Sequence, residues 1–287
     1  MSTETNISFN HPILRRIDGI EKSYGVHLQY TPQDTEIQYV VNVAYISSIG
    51  DDYHCSIERK QLFINGVQPN RLIDVLAERS MKCIYPIDIQ LNPLNGIQGV
   101  LYFDELVDRW NRSLIELRKE YEGDYANQYF DQMNANLSDE KTFLSTLKNE
   151  IIYSLLFFKK DALFEKNHLK KDFIYNLPID PYKVSSEFKG NQRVHFKDQQ
   201  MIFEYVGTNR KKDNLKLRHI VNRENFTEQK IEGNYISKER EISFKITELQ
   251  ERKKKYAKKI DIPEAIPKEL IKRKKSWFSD LFNQNKK

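Results

Sequence analysis

Glycine is scarce in this chain, and the short catalytic and nucleotide-binding motifs that depend on it are absent. Only 10 glycines occur in 287 residues, and none forms a Gly-x-Gly-x-x-Gly pattern or a phosphate-binding loop ending in Gly-Lys-Ser/Thr. The Gly-x-Ser-x-Gly elbow of hydrolases and the His-Glu-x-x-His zinc helix are also missing. Nucleotide binding and hydrolysis through these particular motifs are therefore excluded.

Cysteine and long apolar runs are equally scarce. Cys55 and Cys83 lie among apolar residues without metal-binding spacing, so we expect two buried free thiols, although a disulfide between them stays open. The longest apolar run, 151–158, is too short for a membrane span, which needs roughly 20 residues. Residues 1–10 are polar and resemble no secretory signal. The sequence therefore predicts a cytoplasmic protein.

Positive charge is concentrated at the C-terminus. Residues 250–287 contain 13 Lys and Arg against 5 Asp and Glu, a net +8, so the chain's total of +5 leaves −3 for the remainder. A protein that binds duplex nucleic acid usually has basic residues spread over its folded face, and this pattern is not seen here. The six histidines occur singly, which favours structural roles, and we predict no metal and no cofactor.

Hydrophobic periodicity predicts both strands and helices. Two long helices are expected in the middle of the chain, from Asp104 to Tyr121 and from Ser138 to Leu155. Asn65-Gly66 predicts a tight turn. Before the helices, period-two alternation predicts strands over 26–30, 37–45, 53–64, 87–91 and 97–102, with a short helix over 70–81.

After Pro178 the alternation returns at spacings of about ten residues, which is typical of an antiparallel meander. The predicted fold is therefore α+β, with antiparallel sheets flanking a central helical segment and a basic C-terminal tail. The second sheet either extends the first or faces it. We divide the chain into an α+β region (1–177), a β-meander (178–249) that is separate or part of the same domain, and a basic linker with an amphipathic tail (250–287).

One motif points to metal-dependent nuclease chemistry. Asp52, Glu58 and Lys60 match an Asp…Glu-x-Lys pattern in which carboxylates hold Mg²⁺ and the lysine positions water. Glu-x-Lys also occurs at Glu228 and Glu251, so chance matches are expected in such a charged chain. Solvated charges on the outer face of a strand are the favoured interpretation.

The tail is the most specific feature of the sequence. Its apolar residues fall on one face of a short helix behind four basic residues, which predicts a peptide that docks in a partner's groove or on an anionic membrane. A terminal helix that packs on its own domain is the alternative. The residues of this predicted partner-binding segment are Lys272, Arg273, Lys274, Lys275, Trp277, Phe278, Leu281 and Phe282.

Three segments resemble a set of uncharacterised bacterial proteins associated with contractile injection (type VI-like) secretion loci. These segments are Ile84-Tyr85-Pro86-Ile87-Asp88-Ile89, Asn95-Gly96-Ile97 and Asp108-Arg109-Trp110. The resemblance covers about residues 20–165 and includes no catalytic position. It implies a cytoplasmic accessory protein or toxin-loading adaptor.

Together these features favour a non-enzymatic protein-interaction module, an adaptor or chaperone-like accessory of a bacterial assembly. Its expected partners are proteins, with a membrane surface or nucleic acid as further partners of the basic tail, and no small-molecule substrate is inferred. The alternatives are a metal-dependent nuclease or nucleic-acid-processing protein and a peripheral membrane protein anchored by its tail.

Overall fold

Alternating apolar residues form the strands predicted in the N-terminal part of the chain. They are β1 (Ile20–Thr31), β2 (Thr35–Ile49), β3 (Asp52–Ile64), β4 (Ile87–Leu91) and β5 (Ile97–Leu101), with α1 (Leu72–Ile84) between β3 and β4. The structure, a computed structural model, describes residues 19–50, 52–92, 95–158, 170–179, 185–225 and 227–249. All of them belong to one unit, Met1–Gln250, and the predicted tail lies outside the described residues.

The turn predicted at Asn65-Gly66 is confirmed. Both residues have positive φ, 51° and 74°, and the flanking Ile64 and Val67 exchange backbone hydrogen bonds. Positive φ at both central residues is the geometry that favours Asn-Gly in a two-residue turn.

Residues 103–156 form four helices, where we predicted two. They are α2 (Phe103–Glu120), α3 (Asp124–Asn136), α4 (Glu140–Lys148) and α5 (Ile151–Leu156). The predicted second helix is divided in two, and its N-cap is Asp139, one residue later than expected. The Asp139 carboxylate accepts a hydrogen bond from the Thr142 amide at 2.9 Å, which satisfies one of the free amides at a helix start.

Six more strands follow the helices, and five of them correspond to predicted alternations. These five are β7 (Ser186–Lys197), β8 (Gln200–Thr208), β9 (Asn214–Asn222), β10 (Glu228–Ile236) and β11 (Glu241–Glu248). The sixth, β6 (Lys170–Leu177), was not predicted.

The prediction of sheets flanking a central helical segment is wrong. The described strands form one 11-stranded antiparallel sheet in the order β5-β4-β3-β2-β1-β11-β10-β9-β8-β7-β6. The second set of strands extends the first because β1 pairs with β11, with Val26 opposite Ile246. The helical segment is central in the sequence only. In the fold it connects one edge of the sheet, β5, to the other edge, β6.

The sheet curls, so that its two edges approach each other. In a flat sheet of this size the edge strands would lie about 48 Å apart, at about 4.8 Å per strand spacing. Here Ile97 of β5 and five residues of β6 line the same cavity. The helices contribute their buried residues, among them Trp110, Phe130 and Leu155, to the same core as residues of both halves of the sheet. The inner face of the sheet therefore surrounds the helices.

The outer face of the sheet is polar. Glu204, Arg218, Glu232 and Lys245 lie directly opposite one another on four consecutive strands, so their charges alternate across the sheet. Arg218 contacts Glu232 at 3.2 Å and Glu204 at 3.6 Å. Opposite charges in directly opposed positions stabilise a strand pairing, and this row is consistent with a solvated face.

Both cysteines are free thiols. Cys55 is buried on β3, and burial raises the pKa of its thiol; Cys83 is half-buried at the end of α1. Within the described part of the chain, every helix is too short or too polar to span a membrane.

Candidate functional site

A cavity of about 540 Å³ lies along the open edge of β6. It touches all five consecutive residues 172–176. Because side chains of a strand point alternately to its two faces, a cavity on one face would touch only every second residue. Contact with every residue, on a strand whose described partner lies on one side, indicates a cavity along the unpaired hydrogen-bonding edge. We call it the β6 groove.

Among the described residues, the backbone along the groove has no strand partner on that side. Within the described ranges β6 pairs with β7 alone, so every second N–H and C=O group of β6 faces away from the sheet. An open strand edge is a template for pairing with another extended chain.

The other edge of the sheet is protected. A carboxylate oxygen of Glu140, on α4, accepts a hydrogen bond from the Val100 amide of β5 at 3.4 Å. A methyl group added at the neighbouring Gly99 would lie 3.6 Å from the same oxygen. Helix α4 therefore covers β5 at Val100. Among the described residues that line the cavity, five belong to β6 and one, Ile97, to β5.

Aromatic side chains form the floor of the groove. The rings of Phe158 and Tyr175 stack with centroids 4.9 Å apart and planes inclined by 8°, and Phe173 meets Phe158 edge-on at 5.6 Å. The Tyr175 hydroxyl donates to the Ser154 carbonyl of α5 at 3.4 Å. These contacts attach β6 to α5 and leave an apolar surface beside the free backbone groups.

A second tyrosine of the groove, Tyr153, is held in place by a contact in the core. Its hydroxyl contacts the Tyr85 hydroxyl in the core, and burial raises the pKa of Tyr85 to about 12. The guanidinium of Arg59 lies 3.9 Å from the centre of the Tyr39 ring and extends this cluster to β2 and β3. The helix wall of the groove is thus connected to the opposite half of the sheet.

Beneath the aromatic floor lies a buried His–Glu pair. His219 of β9 and Glu228 of β10 are 2% and 3% exposed, and His219 Nδ1 lies 3.5 Å from a Glu228 carboxylate oxygen. The His219 ring contacts Phe158 with centroids 5.0 Å apart. Burial, and then the charge of Glu228, raise the pKa of Tyr175. The Phe158 ring thus contacts both the groove and this pair.

A β-bulge turns Glu228 into the core. The register between β9 and β10 shifts between Glu228 and Lys230, which adds one residue, Gln229, to β10. Lys230 and Glu232 belong to the outer face, and regular alternation would place Glu228 with them. The extra residue reverses its direction, a common effect of bulges.

The described histidines all pair with carboxylates, which agrees with the structural roles expected for them. His54 lies 2.9 Å from Asp88, His27 lies 2.8 Å from Glu36, and His195 lies 3.1 Å from Glu204. Among the residues that the structure describes, no group of three His, Cys, Asp or Glu side chains is placed to hold a metal ion.

The nuclease residues Asp52, Glu58 and Lys60 lie at alternate positions on the outer face of β3. Lys60 contacts Glu58 at 2.5 Å, whereas Asp52 accepts a hydrogen bond from Gln90 of β4 at 2.6 Å. Asp52 and Glu58 are six positions apart along the strand, roughly 20 Å. The structure therefore brings Glu58 and Lys60 together and leaves Asp52 apart.

The predicted partner-binding segment, Lys272 to Phe282, lies outside the described residues. The groove residues, in turn, were missed in the sequence. Phe173, Tyr175 and Leu177 alternate with Asp172 and Asn176, and this alternation is a strand signal. The apolar Ile174 on the opposite face and the nearby Pro178 obscure the signal.

No family model matches this chain, and no curated protein matches it. The geometry and chemistry of the site itself are therefore the basis for assigning a function.

Proposed function

We propose that this protein is a non-enzymatic interaction module that binds an extended polypeptide segment along the open edge of β6. The main supporting observation is the position of the β6 groove, which touches five consecutive residues of an edge strand. An incoming strand gains main-chain hydrogen bonds from such an edge and specificity from side-chain contacts. The aromatic floor supplies these contacts.

The difference between the two edges supports this function. Natural sheets usually protect their edges against accidental pairing, and α4 protects β5 here. On β6 the charged residues are confined to its start, Lys170 to Asp172. Beyond them the edge borders a cavity lined partly by aromatic side chains and carries Ile174, which is 50% exposed. An edge with few charges beside aromatic side chains is suited to binding.

The biological setting of the proposal comes from the sequence. The resemblance to proteins of contractile injection loci favours a cytoplasmic adaptor or accessory, with the basic segment 272–282 as a second docking element. A pull-down that compares the full chain with a chain ending at Ile260 tests the tail. Identical partner sets would remove the tail from the proposal.

The sequence also suggests two other functions, a metal-dependent nuclease and a membrane-anchored protein. The separation of Asp52 from Glu58 gives the nuclease function no support. Anchoring to a membrane through the tail stays a proposal, and flotation with anionic liposomes at low and high salt would test it, because screening weakens electrostatic attraction to anionic lipid.

The edge-binding function is tested with a labelled neutral peptide of high strand propensity, Thr-Gln-Val-Thr-Val-Gln-Thr. Ile174→Lys should weaken binding at least tenfold in fluorescence anisotropy, because an edge lysine opposes strand addition. Ile46→Lys is the matched control, since Ile46 is 47% exposed on the internally paired β2. Its binding should equal that of the wild type.

Two N-methylated versions of the peptide sharpen the test. One version is methylated at the amides of the odd-numbered residues and the other at the amides of the even-numbered residues. In an added strand only one of these two sets donates hydrogen bonds to β6. One version should lose binding and the other should keep it. Equal binding of both versions, or full binding by Ile174→Lys, would contradict the proposal.

A further inference from the structure

Two charged side chains line the β6 groove, and they have opposite signs. Lys148 is the last residue of α4, and Asp172 lies near the start of β6. Both side chains are exposed, and within the described part of the chain neither forms an ion pair. The groove therefore presents one positive and one negative group to an occupant.

The two charges lie toward opposite ends of β6. Asn149, next to Lys148, accepts a hydrogen bond from Ser185 at 3.1 Å. Ser185 precedes Ser186, which lies directly opposite Leu177 at the end of β6. Lys148 is thus close to the Leu177 end, and Asp172 is five residues earlier in the strand, about 16 Å away.

The direction of an added strand follows from the rest of the sheet. All ten strand pairs among the described residues are antiparallel, and antiparallel pairing is somewhat more stable per residue. An antiparallel segment on β6 begins at the Leu177 end, beside Lys148, and ends beside Asp172.

From this geometry we infer that the β6 groove selects segments in which an acidic residue precedes a basic residue by about four positions, with apolar residues between them. The acidic residue faces Lys148 and the basic residue faces Asp172. The apolar residues lie on the floor formed by Phe158 and Tyr175. This inference rests on the proposed edge-binding function and adds the chemistry and direction of the partner.

The test compares two labelled peptides of identical composition and opposite charge order. They are Thr-Glu-Val-Thr-Val-Lys-Thr and Thr-Lys-Val-Thr-Val-Glu-Thr, and dissociation constants are measured by anisotropy. The wild type should bind the Glu-first peptide about fivefold more tightly, the size expected of two exposed ion pairs. The preference should shrink as salt is added, because salt screens exposed charges.

A charge-swapped variant, Lys148→Glu with Asp172→Lys, provides the matched control. Both positions are exposed, so its thermal unfolding should match that of the wild type. It should bind the Lys-first peptide about fivefold more tightly than the Glu-first peptide. This ratio is the readout, because Asp172→Lys also places a lysine on the edge strand and lowers the affinity for all three peptides.

The possible failures are distinguishable. If the wild type binds both charge orders equally, or prefers the Lys-first peptide, the inference is overturned. The edge-binding function would still stand if the wild type binds the neutral peptide and Ile174→Lys abolishes that binding. No binding of any of the three peptides overturns both. Analytical ultracentrifugation tests whether a second copy of the chain occupies the edge. A dimer of the wild type that Ile174→Lys dissociates would show this and would also overturn the inference.

Discussion

At the scale of single residues, the buried pair of His219 and Glu228 is the least expected feature of the core. A carboxylate loses its hydration when it is buried, and nearby polar groups must compensate. Glu228 is placed there by a single additional residue in β10, Gln229. The pair therefore depends on a local irregularity of register and not on the alternation of the sequence.

Replacing His219 should show how much this pair stabilises the fold. His219→Ala removes the imidazole that lies 3.5 Å from the Glu228 carboxylate in the buried core. We expect the free energy of unfolding in urea to fall by about 3 kcal/mol, the size found when one partner of a buried pair is removed.

His195→Ala is the matched control for this prediction. His195 lies 3.1 Å from Glu204, but these side chains are 51% and 43% exposed. Exposed pairs of this kind stabilise by less than about 1 kcal/mol. If both variants lost equal stability, burial would not be the reason for the effect at His219.

At the scale of elements, close contacts between neighbouring strands accompany the curl of the C-terminal half of the sheet. Gly190 of β7 and Gly207 of β8 lie directly opposite each other. A Cβ atom at Gly190 would lie 2.1 Å from the Val206 carbonyl oxygen. Only glycine permits this approach, and strand glycines often mark such bends.

Gly190→Ala should therefore lower the free energy of unfolding by about 3 kcal/mol, near the upper end for overpacked sites, because the clashing atoms are backbone. Gly25→Ala is the control. Its Cβ would lie 3.1 Å from the end of the Leu249 side chain, which can move, so a loss below about 1 kcal/mol is expected. Urea unfolding of both variants measures the difference, and a tolerated Gly190→Ala would contradict this account.

At the scale of the whole molecule, one core joins both halves of the sheet to the helices. Seven of the tyrosines buried in this core have raised pKa values because burial disfavours the phenolate. They are Tyr24, Tyr39, Tyr45, Tyr85, Tyr153, Tyr175 and Tyr205. Their positions on β1, β2, β6, β8, α5 and the end of α1 make alkaline stability a property of the entire fold.

The protein should unfold cooperatively at alkaline pH. Burial raises the pKa of Tyr85 to about 12, against about 10 in an unfolded chain, so the unfolded chain loses its protons first. Below about pH 10 the protonated Tyr85 makes its full contribution to the free energy of unfolding. As the pH rises toward about 12 this contribution, about 3 kcal/mol, is lost.

Urea unfolding across this pH range, recorded together with tyrosinate absorbance, measures the effect. Tyr85→Phe should reduce the dependence of stability on pH. A rise in tyrosinate absorbance from these core residues while circular dichroism stays native would contradict the prediction.

The sequence by itself determined most of the elements and much of the core. The apolar residues of β1 to β5 and β7 to β11 alternate, and the turn residues Asn65 and Gly66 have the φ values that their side chains favour. These signals are local, because they depend on neighbours within a few residues of the same strand or turn. The distribution of charge along the sequence likewise distinguishes the basic tail, 250–287, from the rest of the chain.

Only the tertiary structure decided how the strands assemble and where the candidate site lies. Pairing of β1 with β11 joins residues such as Val26 and Ile246, and no local pattern specifies a hydrogen-bond register between segments so far apart in sequence. This pairing makes β5 and β6 the edges of one sheet, so the helices lie against its inner face and a groove remains at β6. The candidate site is a consequence of long-range register, because it consists of backbone groups of β6 that no described strand pairs with.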